Sequence, residues 1–199
     1  EELEFCKANG GVSVFLRPFE CERMAFESFF FPLYEIAQEL GLAITFHAGN
    51  GSYQNFKFLE PHNFAKFKLS MVSCFHGLLE FEVPKRFPDL NWGFIEASAS
   101  WVPYALVDVE KRLRRKGKRL ADNPLTDNNI FVTVEVTDDI PYVISRAGDE
   151  NLVVGTDYGH TDTSAEIEAL RILREGGTVA AASVDKILGP NSERLYGLN

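Results

Sequence analysis

The sequence predicts an α/β fold built on a parallel sheet, and three observations carry that reading. Short β-branched, apolar segments alternate with helical patterns along the whole chain. These apolar segments are nearly continuous rather than alternating, as strands are when helices cover both faces of a parallel sheet. Ionisable residues gather where the strands end, which is where open α/β sheets and (β/α) barrels build their sites. Right-handed crossovers leave two architectures, an open doubly wound sheet or a (β/α) barrel. Five strands are readable, whereas a closed eight-stranded barrel usually takes about 250 residues.

The first strand is GGVSVFL, residues 10 to 16. A helix from Pro32 to Leu40 follows, with Leu33, Ile36, Ala37 and Leu40 on one face, Pro32 in its first turn and Gly41 at its stop. LAITFH (42 to 47) is the second strand, and after a Gly, Asn and aromatic loop the pattern is helical from Asn63 to Phe81. NWGFIE (91 to 96) is the third strand, followed by a helix to Lys116 whose face is Val102, Leu106, Val109 and Leu113. NIFVTVEV (129 to 136) is the fourth strand and Asp139 to Ala147 a short helix. LVVGT (152 to 156) is the fifth, and Thr163 with Glu166 has capping-box spacing for the next helix. Helical segments at Ser183 to Leu188 and Pro190 to Tyr196 close the chain.

The 199 residues read as one domain, 1–199, with no repeat, low-complexity tract or linker. Hydrophobic residues at 45% and charged residues at 25% are ordinary for a globular chain and exclude a disordered one. A net charge of −9, from 20 basic and 29 acidic residues, argues against nucleic acid and anionic membrane as partners. No apolar run approaches the ~18 residues of a membrane span. Three cysteines without CxxC spacing point to a reducing compartment, hence the cytoplasm, and to neither a disulfide framework nor a thiolate zinc site.

Four of the five strands end on an ionisable group: Arg17, His47, Glu96, and Asp157 with His160 beyond it. His47 precedes Ala-Gly-Asn-Gly, small residues that leave room for a metal or substrate; a neutral imidazole there is either a zinc or manganese ligand or a cap on the loop backbone. Asp157, in GTDYGH, either ligates a metal and accepts a proton or closes an Asx-turn. His160 assists it or lines the loop. Seven basic residues between Lys111 and Arg119 fall at a helix end, where cations complement the dipole, and read as a solvated end. The seventeen phenylalanines are mostly core, with Phe29 to Phe31, Phe56, Phe58, Phe64 and Phe67 as the alternatives for a pocket or a subunit contact.

FFPLYEIAQELGLAITFHAG, RFPDLNWGFIEASASWVPYAL and LVVGTDYGHTD with a final RLYGL resemble the amidohydrolase-related family of metal-dependent TIM-barrel enzymes. That family includes aminocarboxymuconate-semialdehyde and aromatic-acid decarboxylases as well as hydrolases. The resemblance implies a (β/α)8 TIM-barrel-type fold, the five strands here being barrel strands four to eight of a domain incomplete at its N-terminus. It implies metal ligands at an HxH pair on the first strand, a His on the fifth, matched by His47, and an Asp on the eighth, matched by Asp157. No HxH occurs in the chain. Decarboxylase-like relatives carry a sixth-strand His; aligning Trp101 and Pro103 puts Ala97 there, and a one-residue shift puts Glu96 there. Strand four ends at Arg17 with no lysine to carboxylate, which implies a mononuclear site.

The expectation is therefore a metal-dependent hydrolase or decarboxylase of a small carboxylic acid. One divalent metal, zinc first with manganese or iron as alternatives, is held by His47 and Asp157, which are also the catalytic pair, Asp157 doubling as base. Arg17, Glu96 and His160 contact substrate, and a guanidinium suits a carboxylate bidentately. The two sheet edges left by five strands imply a homo-oligomer. The competing expectation is a non-catalytic binding protein on the same scaffold, since HxH and the sixth-strand His are missing from the chain.

Overall fold

The computed structural model describes residues 1–49, 51–59, 62–161 and 165–198, with Phe56 described by its backbone alone. The chain opens with α1 (Glu2–Ala8), which the sequence reading lacks. Its Leu3 is the apolar residue that reaches the core, so it has no helical stripe to betray it. Strand β1 (Ser13–Leu16) is shorter than the apolar run 10–16. Gly10 has a φ of 87° and the Gly11 amide donates to the Cys6 carbonyl at 2.7 Å, so these glycines close α1 instead of opening the strand.

A small hairpin follows, β2 (Phe19–Glu20) and β3 (Arg23–Met24), also unanticipated. Both residues of its turn, Cys21 and Glu22, are left-handed (φ 51° and 61°). Such a turn usually announces itself by Asn-Gly or Asp-Gly, and here it does not. Next come α2 (Phe31–Glu39), β4 (Ala43–His47) and α3 (Tyr53–Phe58). The helix expected from 63 to 81 is a π-helical turn, Ala65–Leu69, running into α4 (Ser70–Glu80), with the short α5 (Val83–Arg86) after it. Then β5 (Trp92–Ile95), α6 (Val102–Arg115), β6 (Ile130–Val134), α7 (Ile140–Ala147) and β7 (Leu152–Val154) alternate as expected. The chain ends in α8 (Ala169–Glu175), α9 (Ala181–Leu188) and α10 (Pro190–Tyr196). Thr163 of the expected capping box lies outside the described residues, and α8 begins later than that spacing predicts.

The main sheet has the order β1-β4-β5-β6-β7 with every neighbouring pair parallel. Each strand thus sits beside the next one of the sheet, joined by a helical crossover, in the arrangement of consecutive TIM-barrel strands. Among the described residues, β1 and β7 pair on one side only. One sheet face, carrying Ile44, Phe46, Trp92, Phe94, Val132 and Leu152, packs against the helices in a core of edge-to-face and stacked rings that includes Tyr34, Phe75 and Phe87. Each such buried side chain contributes roughly 1.5–3 kcal/mol.

The opposite face carries Ala43, Phe131 and Val153, and α10 lays Leu195 across them. Gly93 makes room for it: a Cβ there would stand 3.3 Å from the Leu195 methyls. Asn91, at the amino end of β5, donates to the Arg194 and Leu195 carbonyls (2.9 and 3.1 Å), so α10 closes the amino end of this face and leaves the carboxyl end open. The basic run behaves as a solvated helix end, its side chains exposed and paired with Asp108, Glu110, Glu80, Glu82 and Asp122. Phe30 is buried, whereas Phe29, Phe58 and Phe64 are exposed.

Candidate functional site

In a parallel sheet the carboxyl ends of all strands lie on one edge, so residues just past each strand become neighbours whatever their separation in sequence. His47 ends β4 and pairs in register with Ile95, which places Glu96 immediately beside it. The His47 Nε2 meets the Glu96 carboxylate directly. Its Nδ1 lies 2.8 Å from the Ala48 carbonyl, which can only accept, so in that contact Nδ1 donates and Nε2 is the nitrogen turned to the site. The Phe15 ring leans on the imidazole at 5.0 Å and restricts its rotation.

Asp157 follows β7, and His160 turns back to it with Nδ1 3.0 Å from a carboxylate oxygen. Glu96, Asp157 and His160 each offer one donor atom, and these atoms lie within 4.8 Å of one another. Glu96 and Asp157 both hold left-handed backbone (φ 61° and 50°). That conformation is costly for a side-chain-bearing residue and clusters at functional sites. The side chains of Glu96 and Asp157 are 11% and 17% exposed, His47 26% and His160 58%.

A small pocket of about 90 Å³, lined by His47, Glu96, Thr133, Glu135 and Asp157, sits at the strand ends. Beside it opens a cavity of about 720 Å³ that His47, Glu96 and His160 share with Arg17, Phe64 and Phe67. Arg17 follows β1 and donates from Nη1 to the Ala48 carbonyl at 3.2 Å. Gly49 has a φ of 130°, a backbone conformation that favours glycine, and a Cβ there would displace that guanidinium. Arg17 pairs with no carboxylate among the described residues. The five residues singled out in the sequence therefore line two cavities that share His47 and Glu96.

Three further contributors escape the sequence reading. Lys68, on the π-helical turn, donates to the Glu96 carbonyl at 2.8 Å and pairs with Glu135 at 3.5 Å. Glu135 belongs to the first residues past β6, the strand that shows no ionisable end by simple inspection. Asp138 accepts from the amides of Ala99, Ser100 and Glu135 and from the hydroxyls of Ser98 and Ser100, tying together the two loops that carry Glu96 and Glu135. The remaining histidines lie elsewhere: His62 accepts from the Ala65 amide, and His76 bridges Glu80 and Asp108 between α4 and α6. A separate cavity of about 520 Å³ includes Asn91, Asn129 and Asn151, whose side-chain amides are engaged by carbonyl oxygens, and holds no comparable cluster.

A family model described as amidohydrolase matches residues 1–198. No curated protein matches the chain in a sequence comparison. Among solved structures, an amidohydrolase from Mycobacterium avium subsp. paratuberculosis K-10 superposes with a TM-score of 0.79 at 19% identity, over 100% of this chain and 54% of that one. The 5-carboxyvanillate decarboxylase LigW from Sphingomonas paucimobilis gives 0.74 at 16% identity, over 94% and 58%. A dihydroxybenzoic acid decarboxylase from Polaromonas sp. JS666, solved with bound manganese and the inhibitor 2-nitroresorcinol, gives 0.74 at 16%, over 100% and 64%. At these identities the likeness carries the fold, and the chain spans between 54% and 64% of the length of these three.

Proposed function

This chain belongs to the amidohydrolase family, and from that premise we propose that it is a metal-dependent enzyme that hydrolyses or decarboxylates a small carboxylic acid. The observation that supports this most is the convergence of three strand ends: His47, Glu96 and Asp157 line the small pocket, and His160, against Asp157, lines the neighbouring cavity with His47 and Glu96. The donor set suits a divalent ion: the His47 Nε2 and the Glu96 carboxylate meet at the strand ends, and the Glu96 and Asp157 carboxylates lie close together with little exposure to water. His47 and Asp157 would hold the ion, zinc being the first candidate and manganese or iron the next. When bound, such an ion supplies Lewis-acid polarisation of a substrate oxygen.

The chain's own groups do the rest. Asp157 is the base, its carboxylate at the strand end facing the pocket. Arg17, free of carboxylates among the described residues, offers a planar fork to a substrate carboxylate. Phe64 and Phe67 wall the larger cavity with apolar surface and thin the water around the bound acid. Glu96 and His160 stand within reach of the substrate at the boundary between the two spaces. The net charge of −9 favours neither nucleic acid nor anionic membrane as partner, and no described helix is long and apolar enough to cross a membrane. Among the described residues β1 and β7 each pair on one side only, which favours a homo-oligomer, and the sparse cysteines favour a cytoplasmic setting.

The test is turnover against a panel of small carboxylic acids, with carbon dioxide release and hydrolysis followed separately. Chelation should abolish activity and metal restore it, and Asp157→Asn should lower kcat by at least about 100-fold, the scale of a lost general base. Activity that survives both chelation and Asp157→Asn would overturn the metal-dependent reading, and no turnover of any acid in the panel by the metal-loaded protein would favour a binding protein.

A further inference from the structure

Resting on the reading of a divalent ion at the strand ends, we propose that Lys68 is a positioning residue whose ammonium holds the Glu135 carboxylate off that ion. Lys68 precedes Met71 and Phe75 at helical spacing, and both of these are fully buried on α4, so the buried stripe of the helix continues into a cation. A lysine in such a place is kept only with partners. It has the Glu96 carbonyl at 2.8 Å and the Glu135 carboxylate at 3.5 Å, with its side chain 22% exposed. The π-helical turn that carries it is itself fastened to the loop after β4, since the Gly49 amide donates to the Phe67 carbonyl (3.0 Å) and the Ser70 hydroxyl to the Gly49 carbonyl (2.7 Å). Lys68 extends that hold to the ends of β5 and β6. Turns of this kind are frequent at functional sites.

Charge gives the reason for the restraint. Three carboxylates, Glu96, Glu135 and Asp157, line the small pocket, and a carboxylate beside a divalent ion bonds to it by default. The donor atoms of Glu96 and Asp157 lie together with that of His160, and Glu135 stands outside this group. Its backbone is fixed by the bond from its amide to Asp138 (2.8 Å), so the reach of its side chain decides where the carboxylate goes, and that side chain is drawn to Lys68. A catalytic ion needs a coordination position left open for water or substrate, and a loose third carboxylate would close it. Lys68 also lines the larger cavity with Arg17, so the restraint sits where the substrate space meets the ion's pocket.

Manganese(II) is the probe, its affinity read by calorimetry and its bonds by diffraction from manganese-loaded crystals. Lys68→Met should bind the ion at least about 10-fold more tightly than the parent, because a cation leaves the vicinity and a carboxylate is released to bond. Lys68→Met with Glu135→Gln replaces one neutral pair by another and should return to within about threefold of the parent, as should Lys68→Arg, whose guanidinium restores the pairing. A merely structural Lys68 predicts the opposite sign, a weaker site in both Lys68→Met variants as the loop at Glu96 loosens. Crystals of the unmodified protein should show Glu135 on Lys68 and not bonded to the ion, a result read without any variant. Glu135 bonded to the ion in the parent, or a folded Lys68→Met that binds no more tightly, overturns the proposal and leaves the metal reading intact. No manganese binding by the parent overturns the metal reading and the proposal with it.

Discussion

Replacing Asp138 by alanine removes the acceptor that pins the loop after β5. Its carboxylate receives the Glu135 amide at 2.8 Å, the Ala99 amide at 2.9 Å and the Ser100 amide at 3.1 Å, besides two serine hydroxyls. In the variant the hydroxyls and the exposed Ser100 amide turn to water at small cost. Ala99 is fully buried, so its amide is left without a partner. An orphaned buried donor costs about 1–3 kcal/mol, and each lost bond to a charged acceptor a comparable amount. A destabilisation of about 3 kcal/mol follows, most of it from Ala99 and Glu135. For a chain of this size, that is a fall in Tm of roughly 6–12 °C, read by calorimetry. Because Glu96 sits on the same loop in left-handed backbone, metal affinity should drop as well, by about 10–100-fold. A Tm within 2 °C of the parent, or an unchanged metal affinity, would refute the view that Asp138 holds Glu96 in place.

Leu195→Ala should cost about 2–5 kcal/mol, since Leu195 fills the space over Gly93 and packs on Ala43, Phe131 and Val153; a loss under 1 kcal/mol in urea would mean that α10 is not seated on the sheet. The Glu80 carboxyl is held below its ordinary value chiefly by the hydrogen bond from Lys116, so the unfolded chain binds its proton more readily. Stability from this group is therefore full above the unfolded value and is lost as pH falls through the folded one. Urea midpoints measured from about pH 6 to pH 3 should drop less in Lys116→Met than in the parent, and parallel curves would count against it. Cys74 is buried and its thiol pushed far up by burial, whereas Cys6 and Cys21 are exposed. A thiol reagent should thus titrate two groups in the native protein and the third on unfolding; fast reaction of all three would contradict that burial.

The parts of the fold that packing on a parallel sheet dictates were legible in the residues. The runs around Ile44, Phe94, Val132 and Val153 are apolar because helices or α10 cover them, and that pattern survives without any tertiary knowledge. What escaped was what tertiary contact alone decides. The hairpin turns on Cys21 and Glu22, residues with no turn signature, and Glu22 is kept by the Ser52 hydroxyl, which lies far along the chain. The π-helical turn carrying Lys68 has the composition of an ordinary helix. The strand-end rule brought Arg17, His47, Glu96, Asp157 and His160 forward, and the structure sets them around two cavities that share His47 and Glu96. It passed over Glu135 and Asp138, which differ from surface acids only in what folds against them.

The most direct test of the account is the position of a bound divalent ion, located by anomalous diffraction from crystals of the protein grown with manganese. The account predicts one site at the carboxyl edge of the sheet, bonded to His47 and Asp157 and beside Glu96. An ion bound anywhere else, or His47 and Asp157 found turned away from the one that is there, would contradict it.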